Sequence, residues 1–183
     1  MRPASRTSRW RCRTPSDSAA PTPPSPSKSI ERSFVAVDPA RLAELQQRLA
    51  YRFRDADLLA RALTHSSYAN EHPLLDHNEA LAFVGDAALS LVVAERLCAD
   101  DPAAPVGVLT PRRAELVSGA ALARWATALD VGGLVRLGRG EAATGGATRE
   151  SILATTLEAL LGAMYVEAGL DPVRRAVAHL ASW

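Results

Sequence analysis

The amino-acid sequence predicts an all-α protein. From about residue 38 onward, leucine, valine and alanine side chains recur three or four positions apart, the spacing that places them on one face of a helix. Residue types that cap helices precede several of these stretches. No stretch alternates between apolar and polar residues as a half-buried strand does, and the sequence contains no internal repeat.

Three helices are predicted in the first half of this region. The first carries Leu42, Leu45 and Leu49 on one face. The second begins after Asp55, whose carboxylate is suited to capping a helix N-terminus, and its apolar residues are Leu58, Leu59, Ala62 and Leu63. The third runs from Asn78 to about Cys98, and its apolar stripe consists of Leu81, Val84, Ala88, Leu91 and Val92.

The second half is predicted to contain three more helices. Thr110 and Pro111 resemble a helix start, a capping residue followed by proline at the first helical position, and this helix is expected to continue to about Leu129. The glycine-rich segment 130–147 predicts a loop or a pair of turns. A further helix is expected from Thr148, and a last one after Asp171–Pro172.

The composition excludes several classes of protein. The 183 residues contain only two cysteines, Cys12 and Cys98, too few for a disulfide scaffold or a thiolate zinc site. No run of about 18 apolar residues indicates a membrane span. We therefore expect a cytoplasmic protein without a membrane segment, in which any metal is held by oxygen or histidine ligands.

The N-terminal part differs from the rest in charge and composition. Residues 1–30 are rich in proline and serine and carry a net charge of +5, whereas residues 31–183 carry −4. Residues 1–30 contain too few large apolar residues for burial to offset the entropy lost on ordering. We therefore interpret residues 1–35 as a disordered extension and residues 38–183 as one globular domain. An organellar import signal and a salt-sensitive RNA contact are the alternatives for residues 1–30.

Five segments resemble the nuclease domain of the bacterial ribonuclease III family, in the same order and at the same spacing. They read ALTHSSYAN at 62–70, NEALAFVGDAALSLVVAE at 78–95, GVLTPRRAELVS at 107–118, LGRGEAATGG at 137–146 and SILATTLEALLGAMYVEAGL at 151–170. The resemblance extends from about residue 42 to 180. It implies an all-α endonuclease domain that dimerises and uses Mg²⁺ to cut both strands of double-stranded RNA. It also implies that this sequence carries the nuclease module without the family's usual double-stranded-RNA-binding domain.

The same resemblance assigns the metal ligands. The family places four carboxylates on two helices, and two of the four are kept here as Asp86 and Glu158. The other two positions hold Ala82, where the family has glutamate, and Thr155, where it has aspartate. A further family acid corresponds to Val106.

These replacements predict an impaired site. Mg²⁺ binds through several hard oxygen ligands because its dehydration is costly; alanine supplies none, and a threonine hydroxyl is neutral. We therefore expect Mg²⁺ binding to be weakened or lost. Any remaining catalysis would depend on Asp86, Glu158 and Glu79, with Glu150 as a further replacement ligand. Alternatively, Asp86 and Glu158 serve only as hydrogen-bond acceptors between helices.

Other family features are retained. In the family, the aromatic residue at Phe83 inserts into a pocket of the partner subunit, and Gly85 and Gly162 suit closely packed helices. Arg112 and Arg113 are predicted to lie at a helix start, where they would contact an RNA phosphate or simply face solvent.

Three functions follow from these residues. The first is a pseudo-nuclease, associated with RNA or paired with an active subunit of the family in a homodimer or heterodimer. The second is an active Mg²⁺-dependent endoribonuclease with a reduced site. The third is a protein dimerisation module without an RNA function, which the net charge of −4 over residues 31–183 favours.

Overall fold

The computed structural model describes residues 38–181, and this part of the chain is helical, as the sequence predicts. Nine α-helices follow one another within it: α1 (Pro39–Arg48), α2 (Ala56–Ala62), α3 (Ser66–Glu71), α4 (Glu79–Asp100), α5 (Val106–Leu116), α6 (Gly119–Ala128), α7 (Arg139–Ala143), α8 (Glu150–Ala168) and α9 (Leu170–Leu180). Two 3₁₀ turns, Val131–Gly133 and Gly146–Thr148, flank α7. The β-type pairing in this range is an isolated bridge between Thr64 and Arg136. The extension predicted at 1–35 lies outside the described residues.

Helix α8 forms the centre of the core. It packs most extensively against α4, and also against α2, α6 and α9. Its largest fully buried side chains are Leu157, Leu160, Leu161 and Met164. By length and mean hydropathy alone, 1.2 over 18 residues, α8 is also suited to crossing a membrane. Because 61% of that window is buried inside the domain, a place in the core accounts for its apolar character.

Two glycines allow α4 and α8 to approach until their backbones touch. A Cβ atom at Gly85 would lie 1.8 Å from the carbonyl oxygen of Glu158, and one at Gly162 would lie 2.0 Å from the carbonyl oxygen of Leu81. Neither position has room for a side chain, since real Cβ atoms do not approach other atoms closer than about 3.0 Å. The geometry confirms the close packing that the sequence indicated for this pair.

The predicted features of the first two helices are also confirmed. Leu42, Leu45 and Leu49 are all buried. The Asp55 carboxylate caps α2, because its Oδ1 accepts hydrogen bonds from the backbone N–H groups of Asp57 at 2.9 Å and Leu58 at 3.1 Å. These bonds satisfy donors that the first turn of a helix leaves unpaired.

The predicted start of a helix at Thr110 was wrong. Helix α5 begins at Val106, and Pro111 lies inside it. The proline has no N–H to donate to the carbonyl of Gly107, and such a break is ordinarily costly in a helix interior. Helix α5 contains no fully buried residue, so little core packing is disturbed by the proline.

The prediction of one continuous helix to about Leu129 was also wrong, because residues 106–128 form two helices. Helix α5 ends at Leu116, and Ser118 begins a new helix by accepting a hydrogen bond from the N–H of Ala121 through its Oγ, at 3.3 Å. Serine is a strong N-cap residue, and it redirects the chain so that Leu122 is buried.

Smaller differences concern three helices. On α4, Leu91 is 50% exposed, while Leu89 and Val93 are buried, so the stripe is rotated relative to the prediction. Helix α8 begins at Glu150, two residues later than predicted, because Thr148 belongs to the preceding 3₁₀ turn. Helix α9 begins at Leu170, before the predicted Asp171–Pro172 start.

The glycine contact predicts a position-specific effect of alanine. We expect Gly85→Ala to destabilise the fold by at least about 3 kcal/mol, at the upper end of single-residue effects, because the added methyl group meets backbone that cannot move independently. The matched control is Gly107→Ala, also within a helix, where nothing lies within 4 Å of the added Cβ. The control should be neutral or more stable by up to about 1 kcal/mol. Urea unfolding of both variants provides the test, and equal stabilities would contradict the close contact.

Candidate active site

The contact between α4 and α8 brings Asp86 and Glu158 together. Asp86 directly follows Gly85, and the backbone of Gly85 packs against the carbonyl group of Glu158. The two carboxylates are near enough that the charge of Asp86 disfavours ionisation of Glu158. The sequence predicts both as metal ligands, and the fold places them near each other.

Glu158 lies in a partly desolvated environment. Burial, with a further contribution from the negative charge of Asp86, raises the pKa of Glu158 to about 7. Desolvation disfavours the charged form of a carboxyl group, and a neighbouring like charge acts in the same direction. No described basic group offsets these effects at Glu158, so the carboxyl is only partly ionised at neutral pH.

The two positions at which a ligand is predicted to be lost are apolar or neutral. Ala82 is 6% exposed and belongs to the hydrophobic core. Thr155, one turn before Glu158 on α8, is half-buried. Val106 is 74% exposed at the first position of α5. Within residues 38–181, no group of three or more histidine, cysteine, aspartate or glutamate side chains is arranged to hold a metal ion.

The proposed replacement ligands point elsewhere. Glu79 is exposed, and its Oε2 lies 3.7 Å from Nδ1 of His77, so it does not join Asp86 and Glu158. A Cβ built at Gly119 would lie 3.4 Å from Oε1 of Glu150, which places the Glu150 carboxylate beside the start of α6. The expected trio of Asp86, Glu158 and Glu79 is therefore not assembled, and only the first two are neighbours.

Phe83 is not part of the core. Its side chain is 81% exposed on α4, three residues before Asp86. Ordinary core packing, the usual explanation for an apolar residue on a helix, therefore does not apply. An aromatic side chain this exposed marks a candidate contact surface.

The expected position of Arg112 and Arg113 needs correction. Both are exposed, but they lie in the second half of α5, because the helix begins at Val106 and not at Thr110. They are therefore away from the positive N-terminal end of the helix dipole. Neither forms an ion pair within residues 38–181.

Sequence reasoning missed a stacked group beside α3. The rings of Tyr68 and His72 stack with centroids 4.0 Å apart, and the guanidinium of Arg136 lies over the Tyr68 ring. The i,i+4 spacing of Tyr68 and His72 is a signal that could have predicted their contact on a helix. Nothing local in the sequence indicates that Arg136, far along the chain, joins them.

The raised pKa of Glu158 predicts a pH-dependent effect of neutralising it. The pKa of Glu158 in the folded state is about 7, which is above its value in the unfolded chain. The protonated carboxyl group therefore contributes to the free energy of unfolding at low pH, and this contribution is lost as the pH rises through about 7. Glu158→Gln removes this loss. We expect the variant to be more stable than the parent by about 1 kcal/mol at pH 8, allowing for solvent screening, which is about 2–4 °C in Tm. At pH 5 the two should differ little.

Thermal unfolding at both pH values measures this difference. The matched control is Glu115→Gln, which neutralises an exposed carboxylate on α5 and should show the same small change at both pH values. A gain for Glu158→Gln that is equal at pH 5 and pH 8 would contradict the electrostatic explanation.

Comparison with known proteins identifies the family of this chain. A family model described as ribonuclease-III-like matches residues 55–182. The chain is 45% identical over 141 residues to Ribonuclease 3 of Symbiobacterium thermophilum, covering 77% of this chain and 60% of that protein. It is 48% identical over 136 residues to Ribonuclease 3 of Streptomyces coelicolor, covering 74% and 49%. The chain thus spans about half to three-fifths of the length of these relatives.

Solved structures of ribonuclease III nuclease domains are similar to this chain. The nuclease domain of ribonuclease III from Campylobacter jejuni superposes with a TM-score of 0.71 at 37% identity, covering 76% of this chain and 92% of that chain. A second structure of that domain, described for flexibility in the region involved in dimer formation, has a TM-score of 0.72 at 37% identity, covering 76% and 94%. Together with the family model and the relatives above, these similarities show that the chain belongs to the ribonuclease III family.

Proposed function

We propose that this chain is a catalytically impaired ribonuclease III-like domain that acts as a pseudo-nuclease. It associates with double-stranded or structured RNA, or pairs with an active subunit of the family. The observation that carries the proposal is Ala82, a methyl group within the hydrophobic core at a position where the family has a ligand carboxylate.

The residues present do not fit a Mg²⁺ site. Only Asp86 and Glu158 remain of four family carboxylates, and within residues 38–181 no group of three or more acidic, histidine or cysteine side chains is arranged to hold a metal ion. Two carboxylates offset the dehydration of Mg²⁺ poorly. Without the ion, neither activation of water nor neutralisation of charge on the phosphate is supplied.

A dimer is the second part of the proposal. Phe83, 81% exposed, is the aromatic residue that the family inserts into its partner subunit, and a Campylobacter jejuni relative is described by its dimer-forming region. Burying one aromatic side chain contributes about 1.5–3 kcal/mol. A second copy of this chain or an active family member is the proposed partner that would bury Phe83.

RNA association is the third part. The exposed Arg112 and Arg113 on α5 would contact phosphates as positioning residues. The net charge of −4 over residues 31–183 makes this contact weak and salt-sensitive, since phosphate binding depends on counterion release. The cytoplasm is the proposed compartment, with import through residues 1–30 as the alternative.

Restoring both lost carboxylates tests the cause of impairment. We expect the unmodified protein to leave a long RNA duplex intact in Mg²⁺ and Mn²⁺. Ala82→Glu combined with Thr155→Asp should raise Mg²⁺-dependent cleavage by about 100-fold or more, which corresponds to about 3 kcal/mol of activation barrier. Cleavage is measured on radiolabelled duplex RNA after confirming that each variant is folded.

Two controls make this test decisive. Adding Asp86→Asn to the restored variant should abolish the cleavage, because it removes a retained ligand. Cleavage by the parent chain that Asp86→Asn abolishes would instead show an active enzyme with a reduced site. A restored variant that is folded, dimeric and inert would show that the defect extends beyond the ligands.

A charge at Phe83 should prevent dimerisation. We expect Phe83→Glu to weaken self-association by about 100-fold or more, since an unpaired carboxylate in an apolar pocket is costly, without unfolding an exposed position. Leu74→Glu is the matched control, because Leu74 is fully exposed outside the helices. Sedimentation velocity across a concentration series measures the dimer. An undiminished dimer of Phe83→Glu would place the interface elsewhere.

A further inference from the structure

A layered group of planar side chains lies between α3 and the segment before α7. Its innermost member is Arg136, only 7% exposed, whose guanidinium carbon lies 5.8 Å from the centroid of the Tyr68 ring. Tyr68 is half-buried. His72 stacks on Tyr68 with ring centroids 4.0 Å apart and an angle of 14° between the planes, and it is exposed. Exposure therefore increases along the series from Arg136 to His72.

The outer ring of this group is fixed in orientation. Nδ1 of His72 lies 2.9 Å from the backbone carbonyl oxygen of Tyr68, so the ring nitrogen donates to that oxygen and cannot rotate without losing the bond. The stacking contact with Tyr68 restrains the same ring from one face. An exposed aromatic plane held by both restraints loses little conformational freedom when something stacks on it.

A cationic side chain is anchored to the residue that precedes His72. Arg139 is 93% exposed, and its Nε pairs with Oε2 of Glu71 at 3.2 Å, the residue directly before His72. The Arg139 backbone N–H also donates to Oε1 of Glu71 at 2.9 Å. These bonds fix the position of the Arg139 backbone and Nε, and they leave its two terminal amino groups without a partner within residues 38–181.

We propose that His72 is a stacking platform for one unpaired RNA base, with Arg139 contacting the adjoining phosphate; this rests on the proposed association with RNA. Proteins recognise unstacked bases in loops, bulges and ends by placing them on aromatic side chains. A base inside a duplex is already stacked on both faces and cannot use such a plane. The site therefore distinguishes RNA with unpaired nucleotides from a blunt duplex.

The test compares two RNAs of equal length in the duplex part, one blunt and one with a single-stranded 3′ extension containing 2-aminopurine. Binding is measured in Ca²⁺ at low salt, with His72→Ala, His72→Phe and, as a matched control, His179→Ala, which alters an exposed histidine on α9. The parent should bind the extended RNA about tenfold more tightly and quench the 2-aminopurine fluorescence. His72→Ala should lose both effects, whereas His72→Phe and His179→Ala should keep them.

The outcomes separate this inference from the broader proposal. Equal binding of both RNAs that His72→Ala leaves unchanged would overturn the stacking site and leave RNA association intact. Absence of binding to either RNA at low salt would overturn both. A preference for the extended RNA that His72→Phe also loses would show that the imidazole is used as a hydrogen-bonding group and would overturn stacking as its role.

Discussion

The backbone contact between α4 and α8 is the constraint on which the rest of the structure depends. The absence of side chains at Gly85 and Gly162 brings the two longest described helices together. Dispersion forces fall steeply with distance, so this approach lets the flanking leucines interdigitate. It also determines that Asp86 and Glu158 are neighbours. The same contact therefore sets both the core and the candidate site.

The packing of α4 against α8 places two carboxyl groups in a partly desolvated environment. Asp86 and Glu158 are held close together by helix packing, and no described cation compensates for their proximity. Burial, with a further contribution from the charge of Asp86, raises the pKa of Glu158 to about 7. A partly buried carboxylate beside a second acid is a local cost to the fold, and the extensive packing of α4 against α8 offsets it.

Much of this fold could be predicted from the sequence because its signals are local. The Asp55 cap and the leucines of α1 depend on residues a few positions apart, and they were confirmed. Pro111 was misread because proline is common at a helix start, and only tertiary context shows that an exposed helix tolerates it internally. The Asp86–Glu158 pairing followed from the family resemblance, whereas the stacking of Arg136 on Tyr68 depends on distant segments and has no local signal.

Helix α5 has fewer stabilising interactions than the core helices. It contains no fully buried residue, and Pro111 removes one of its internal hydrogen bonds. The free energy of opening a helix locally is set by the buried contacts and hydrogen bonds that opening breaks. Local opening of helix α5 therefore breaks fewer buried contacts than opening of α4 or α8 does. Since Arg112 and Arg113 lie on it, a partner could reshape that surface at small energetic cost.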